Sequence, residues 1–263
     1  MEKHEGTVPE EILSSKLEGR NPILEALRAG RPVHRILLAK GTQGSVREIL
    51  RLAHARNILV QEVDPKRIET LAETSAPQGV IAYVAAKEYV EWETMLEAAK
   101  AKNEDPLIVI LDGLEDPHNL GSVLRSAETA GAHGVIIGKH RAVGLTETVA
   151  KASAGAIEYM PVARVTNIAQ TMDELKEKGV WVAGADISGD ALYGGKDRLT
   201  GPLAIVIGGE GQGMSRLVRD KCDFLVSIPM RGKIQSLNAS AAAAIILYEA
   251  VRQRMGKADT TRI

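Results

Sequence analysis

A single cysteine, Cys222, stands in 263 residues, so neither an internal disulfide nor a four-thiolate zinc site can form. Aromatic residues are only 3% of the chain, one phenylalanine among them. That is too few for rows of rings on which single-stranded RNA bases stack, so any nucleic acid must be held through phosphate contacts, loops and shape. Neither sign of charge dominates: 33 Lys+Arg stand against 34 Asp+Glu, a formal net charge of -1. A polybasic protein is excluded, a local basic patch is not. Long apolar runs are lacking too. The longest, Ala241 to Tyr248, falls far short of the roughly 20 residues that span a bilayer. Met1 to Glu11 is charged and has no apolar core, so it does not read as a secretory signal. The expectation is a soluble, cytoplasmic protein with no membrane partner and no metal; His118, for instance, has no second His or Cys at ligand spacing.

What is present is ordinary globular material, 44% hydrophobic and 25% charged, long enough for one large domain or two small ones. Residues 1–11 read as a mobile tail. Residues 12–86 mix helix and strand: a helix opening at Asn21 (N-cap) and Pro22 (N1), strands at Arg35–Ala39, Leu59–Val63 and Val80–Val84, and an amphipathic helix at Val46–Ala55. Between Lys16 and Arg56 nine basic residues face three acidic ones, a local excess of six, which reads either as a solvated surface or as a docking face for a phosphate backbone. Residues 87–105 are charged and helical and read as an interdomain linker. From Pro106 the pattern changes to regular alternation. Apolar strands begin at Leu107, Val135, Met160, Val180 (this one ending at Ala185), Leu203 and Phe224, separated by helices, the last running from Leu237 to Arg254. This predicts an α/β domain over residues 106–263 with a mainly parallel sheet covered on both faces.

Three polar or glycine-rich segments follow predicted strands, where ligands gather in open α/β sheets. The first, Asp112 to Arg125, contains Asn119, an N-cap candidate, and Arg125, less than two turns into the following helix. The second, Gly208-Gly209-Glu210-Gly211-Gln212-Gly213-Met214, exposes backbone N–H groups and admits close approach of a ligand. No Gly-Lys-Ser/Thr follows, so it is not a Walker loop, and a carboxylate in such a turn is costly unless it binds something. The third, Ile228 to Ser240, carries a strand into the last helix, with Ser236 a plausible N-cap and Asn238 expected inside the first turn.

In this order and spacing, Asn119-x-Gly121-x3-Arg125, Gly208-x-Glu210-Gly211-x-Gly213-Met214 and Ile228-Pro229-Met230-x-Gly232-x3-Ser236-Leu237-Asn238 resemble the three motifs of the SpoU (TrmH) family. These are RNA ribose 2′-O-methyltransferases of the trefoil-knotted, AdoMet-binding class. The resemblance covers Leu107 to about Arg254. Residues 12–86 resemble the family's small ribosomal-protein-like RNA-binding domain, and the layout opening Glu18-Gly19-Arg20-Asn21-Pro22 is similar to members that modify a guanosine of 23S rRNA. Ala239 stands where valine is usual, at a packing position.

The resemblance implies a knot, a homodimer and S-adenosyl-L-methionine as cofactor, held by Gly208, Ile228 and Leu237 through backbone groups, with Gly209, Gly213 and Met230 beside them. It implies catalytic or orienting roles for Asn119, Arg125, Glu210, Ser236 and Asn238. The family reading makes Arg125 the base. A guanidinium that stays charged would instead clamp a phosphate and stabilise the forming alkoxide. Glu210 and Asn238 would orient the nucleotide and Arg125. Arg20, Asn21, Lys139 and Arg141 are assigned to RNA contact, the last two to its backbone. Three alternatives compete: a Rossmann enzyme using Gly209-x-Gly211-x-Gly213, a non-catalytic ribosomal RNA-binding protein, and the same chemistry on tRNA or another rRNA site. A Rossmann loop belongs after the first strand of its sheet, whereas this one comes after about four.

Overall fold

The computed structural model describes residues 14–260 apart from 43, 45, 75 and 194–197; the mobile tail expected over residues 1–11 lies outside them. The chain divides into two compact units between Glu88 and Tyr89.

In the first unit a four-stranded sheet has the order β1 (Ser14–Glu18), β4 (Val80–Ala85), β2 (Val33–Ala39), β3 (Leu59–Val63). Helix α1 (Arg20–Ala29) starts two residues earlier than expected, with Gly19 in the cap position at φ 93° and Asn21 already inside the first turn. Asn21 therefore caps nothing and is exposed. Helix α2 (Val46–Ala55) is where its apolar period put it. Strand β1 and helix α3 (Pro65–Leu71) were not foreseen. Helix α3 is opened by the Asp64 carboxylate, which accepts from Lys66 N, with Pro65 at the first helical position. β1 is held by Glu18, which is buried and accepts from Glu73 N, Thr74 N and the Thr74 hydroxyl. Burial alone would raise the Glu18 pKa, but these bonds and Lys16 outweigh it and hold the carboxyl below its ordinary value.

Much of the basic excess of this unit is engaged internally. Lys16 pairs with Glu18 and Glu73, Arg28 bridges Glu25 and Glu48, Arg31 Nε donates to Ala85 O, and Arg35 lies over the Tyr83 ring. The Arg20 backbone and Nε bind the side chain and carbonyl of Gln78.

The second unit is built on six strands, all parallel: β5 (Leu107–Asp112), β6 (Gly134–Gly138), β7 (Val162–Val165), β8 (Trp181–Ala191), β9 (Leu203–Gly208) and β10 (Phe224–Ser227), in the order β10-β8-β9-β5-β6-β7. The residues of β5, β6 and β9 are buried almost throughout, as continuous apolar strands covered on both faces must be. Helices α5 (Pro117–Thr129), α6 (Glu147–Ala152), α7 (Ile168–Glu177), α8 (Arg216–Asp220) and α9 (Ala239–Thr260) intervene or follow. β8 runs six residues beyond its expected end at Ala185, and β10 follows it with a register shift between Leu225 and Val226.

Residues 87–105 do not form a free linker. Helix α4 (Glu93–Ala101) places Met95 and Ala99 at 0% exposure, and Trp92 is buried just before it. The three apolar residues recur at i, i+3 and i+7, a period the surrounding charges obscure. Met95 fits because residue 134 is glycine: a Cβ there would fall 2.1 Å from the Met95 sulfur. Behind α4, His133 is buried, its Nδ1 accepting from Leu107 N at 3.1 Å and its Nε2 facing Glu104 at 3.1 Å. The Leu107 bond requires the proton on Nε2, and hence a neutral ring donating to Glu104. Burial lowers the His133 pKa more than Glu104 raises it. The unfolded chain therefore binds the proton more readily, and this contribution is full above the ordinary histidine pKa and lost as pH falls through the lowered one. Melting temperatures of the wild type should drop on acidification below about pH 6.5, and a His133→Gln variant should show less of that drop. Equal pH slopes in both would exclude His133 as the cause.

Candidate active site

β5 and β9 are neighbours in register, Asp112 beside Gly208, so the first two motifs leave the sheet side by side. Gly209 N donates to Asp112 O at 2.8 Å, and the two loops touch so closely that a Cβ on Gly209 would lie 2.0 Å from Gly113 O. Gly208 packs in the same way, its hypothetical Cβ 2.1 Å from the Gly213 carbonyl carbon. Gly213 itself has φ 66°, a conformation natural to glycine.

Helix α5 begins at Pro117 rather than at Leu120, because Asp116, not Asn119, is its N-cap and accepts from His118 N. Asn119 is thus freed from capping and lies inside the first turn, 4% exposed. The third segment shows the reverse correction. Asn238, not Ser236, opens α9, its Oδ1 accepting from Ser240 N at 3.0 Å, Ala241 N at 3.3 Å and Ser240 Oγ at 2.6 Å.

The three motifs meet in one hydrogen-bonded chain. Asn119 Nδ2 donates to Glu210 Oε1 at 2.6 Å, and Asn238 Nδ2 donates both to Asn119 Oδ1 at 2.8 Å and to Glu210 Oε1 at 3.0 Å. Chemistry fixes the direction. An ionised carboxylate can only accept, so Asn119 must offer its amide N–H, leaving its oxygen for Asn238; the Asn238 oxygen then caps α9. Glu210 Oε1 is engaged twice, while Oε2 has no partner among the described residues.

Arg125 and Ser236 are not part of this chain. Arg125 lies six residues past Asn119, about 9 Å along the helix and about 120° around it. It is exposed, its carbonyl accepts from Thr129 Oγ1, and its guanidinium has no hydrogen-bond or ion-pair partner among the described residues. Ser236 lines the cleft described next.

A cavity of about 600 Å³ opens at the carboxyl ends of β9 and β10, beside the middle of β8. Gly208, Gly209, Gly213, Ile228, Met230 and Leu237 all line it, together with Glu210, Ser236 and Asn238. Asp186 and Ile187 also line it; the sequence reading missed both because it ended that strand at Ala185. Burial would raise the Asp186 pKa, but hydrogen bonds from Ser188 N and Oγ, with Arg219 nearby, hold the carboxyl below its ordinary value. A second cavity, about 840 Å³, lies across the 209–213 loop and is lined by Asp112, Glu115, Asp116, Arg141 and Arg216 besides that loop. Lys139 and Arg141 are exposed on the turn after β6, but only Arg141 lines this cavity. Arg20 and Asn21 belong to the first unit.

A cleft at the carboxyl ends of parallel strands, with glycine backbone and apolar side chains on its walls and carboxylates at its rim, is where an open α/β fold binds its ligand, and the carboxylates favour one bearing positive charge. The SpoU rRNA methylase family matches residues 106–248, and the RNA 2′-O ribose methyltransferase substrate-binding family matches residues 16–90. The TrmH family protein YacO of Bacillus subtilis (strain 168) is 50% identical over 237 residues, 90% of this chain and 94% of its own. Among solved structures, the SpoU methyltransferase AviRb from Streptomyces viridochromogenes in complex with AdoMet superposes with a TM-score of 0.77 at 31% identity, covering 92% of this chain and 91% of AviRb. An AdoMet-bound rRNA methyltransferase from Sinorhizobium meliloti gives 0.74 at 26% identity, over 91% and 87% of the two chains.

The chain belongs to the SpoU family and is an AdoMet-dependent RNA methyltransferase. The smaller cavity suits that cofactor. Ile207, Val226, Ile228 and Ile246 offer an apolar slot, the glycine loop offers unhindered backbone groups, and Asp186 and Glu210 place negative charge beside it.

Proposed function

We propose that the chain transfers a methyl group to a ribose 2′-hydroxyl of structured RNA, and that the target is a guanosine of 23S rRNA. The observation that carries the 2′-hydroxyl reading is the Asn119–Glu210–Asn238 chain, whose Glu210 and Asn238 line the smaller cavity; the 23S guanosine rests on the likeness of the motifs and the two-domain layout. It pins one carboxylate oxygen and leaves the other to accept a hydrogen bond from an incoming hydroxyl. When bound, AdoMet supplies an electrophilic methyl on a sulfonium. Gly208, Ile228 and Leu237 hold it through main-chain groups, with Gly209, Gly213 and Met230 completing the walls. Glu210 aligns the 2′-hydroxyl, and Ser236 and Asn238 fix the loop that closes over it. As the C–O bond forms and the methyl–sulfur bond breaks with its electron pair staying on sulfur, the 2′-hydroxyl proton passes to the free Oε2 of Glu210, and the negative charge that builds on the ribose oxygen meanwhile needs a counter-charge. Arg125 supplies it from the exposed face of α5, bound to the adjacent phosphate.

The first unit is proposed to dock the RNA, with Arg20 and Asn21 at its contact face, and Lys139 and Arg141 to contact RNA beside the site. A trefoil knot belongs to the same reading. The loop after edge strand β10 delivers Asn238 to Asn119 beyond β5, so the chain must recross the ends of β8 and β9. A homodimer does too: Ala241, Tyr248 and Met255, spaced seven apart on α9, are all exposed, Tyr248 by 50% and Met255 by 66%. Such an apolar stripe suits a second copy of the same helix. Light scattering should give twice the monomer mass, and Tyr248→Glu should return it to one.

The deciding experiment is transfer of labelled methyl from AdoMet to purified 23S rRNA, 16S rRNA and tRNA, with products mapped by resistance to alkaline cleavage. A methylated 2′-oxygen cannot attack its phosphate, so one alkali-resistant guanosine in 23S rRNA is expected. Label on tRNA would keep the chemistry and replace the substrate; label at an alkali-sensitive position would overturn the 2′-O assignment.

A further inference from the structure

The larger cavity is left unused by this account. It sits at the carboxyl ends of β5 and β9, opposite the cofactor cleft, and Gly209, Glu210, Gln212 and Gly213 form a wall common to both. A ribose whose 2′-oxygen reaches Glu210 from that side must carry its base into this cavity or away from it. The lining decides between base and phosphate. Asp112, Glu115 and Asp116, with Glu210 on the shared wall, outnumber Arg141 and Arg216, and Arg216 already faces Asp220, so the lining as a whole disfavours a phosphodiester; the carboxylates differ in what they have left to offer. Asp112 Oδ2 accepts from Ser215 N at 2.7 Å and Asp116 Oδ1 caps α5. The Glu115 carboxylate has no partner among the described residues and is exposed to the cavity. Arg141, exposed and equally without a partner among the described residues, brings an uncommitted guanidinium to the same space.

Resting on the guanosine reading above, we infer that this cavity receives the base of the target nucleotide and selects guanine, with Glu115 as the specificity-determining residue and Arg141 as its counterpart. Guanine alone among the four bases carries two adjacent donors, N1–H and N2–H, which match the two oxygens of one carboxylate. Its O6 and N7 are acceptors for an arginine fork. Adenine, cytosine and uracil each set a ring acceptor or a carbonyl beside their donor, and that acceptor would face Glu115 with like partial charge. Arg141 thus reads a base edge rather than the RNA backbone.

The test uses the full-length enzyme with AdoMet and the mapped target RNA, carrying either guanosine or inosine at the modified position. Inosine keeps N1–H, O6 and N7 and lacks only the N2 amine. For the wild type, kcat/KM should fall about 10-fold or more from guanosine to inosine. Glu115→Gln should lower kcat/KM on guanosine by about 10- to 100-fold, the loss of a charged hydrogen bond, lower it much less on inosine, and leave AdoMet affinity unchanged. Equal losses on both RNAs, or none, would overturn the base pocket while leaving the guanosine reading intact. A wild type that methylates another nucleotide, or no RNA at all, would sink both together.

Discussion

Arg125→Ala is expected to slow methyl transfer by about 10²- to 10³-fold, the usual effect of removing one charge-stabilising donor from a transition state. AdoMet affinity should stay at the wild-type level, because Arg125 lines neither cavity and has no bond to the Asn119–Glu210–Asn238 chain. The separation between turnover and cofactor binding is what assigns Arg125 to the RNA side. Arg125→Lys discriminates further. A point charge on a flexible stem restores part of the counter-charge but not a bidentate hold on phosphate, so an intermediate rate is expected. Calorimetry with AdoMet and single-turnover transfer on each variant give the two readouts. A parallel loss of AdoMet binding would remove Arg125 from the role proposed for it, and an unimpaired Arg125→Ala would remove it from the reaction.

The parallel sheet of the second unit was legible because its central strands are continuous apolar runs. Leu107 to Leu111 and Leu203 to Ile207 leave no alternative to burial on both faces, and they became neighbouring central strands. Where charge is interleaved with a few apolar anchors, the pattern misled. Trp92, Met95 and Ala99 are three apolar residues in a run of lysines and glutamates, and the burial of Met95 depends on a glycine almost forty residues away. β1 was hidden for a related reason. Its Leu17 is buried, but it stands between the charged pair Lys16 and Glu18, whose partners Glu73 and Thr74 lie far along the chain. Such strands are made by long-range pairing, which local periodicity does not carry.

In the site, residue types were legible and their partners were not. Two capping assignments had to move by three and two residues, from Asn119 to Asp116 and from Ser236 to Asn238. Each candidate was a good capping residue, and sequence alone offers no means of choosing among Asp116, Asn119, Ser236 and Asn238 when all precede a helix. The choice is made by the tertiary structure. Glu210 arrives from a different strand and claims Asn119, and Asn119 in turn claims the amide of Asn238. The acidic cavity escaped notice because Asp112, Glu115 and Asp116 look like an ordinary polar loop until Arg141 and the glycine loop are folded against them.

Asn238 holds two duties at opposite ends of one amide, and Asn238→Asp pulls them apart. The remaining oxygen still caps α9, where aspartate is as good as asparagine and its charge suits the helix N-terminus. The other end changes from a donor, 3.0 Å from Glu210 Oε1, to an acceptor that faces a carboxylate. At neutral pH two like charges in contact push Glu210 away from Asn119, and a displacement of even 1 Å at a reacting centre lowers the rate by about 10²-fold. Two carboxylates at that distance share a proton, and one of their pKa values rises above the ordinary carboxylate range. The shared proton restores an O–H donor where the amide stood. Activity of the variant relative to wild type should therefore climb as pH falls through the raised pKa and shrink as pH rises above it. Stability should move the same way: the folded state binds the extra proton, so the deficit in melting temperature grows with rising pH. Asn238→Ala behaves differently. It removes the cap as well, at about 1 kcal/mol, and the loss is the same at every pH. If the aspartate variant shows a flat relative rate from pH 5 to pH 8, Glu210 does not depend on Asn238 for its position, and the hydrogen-bonded chain through the three motifs is not what holds the catalytic geometry.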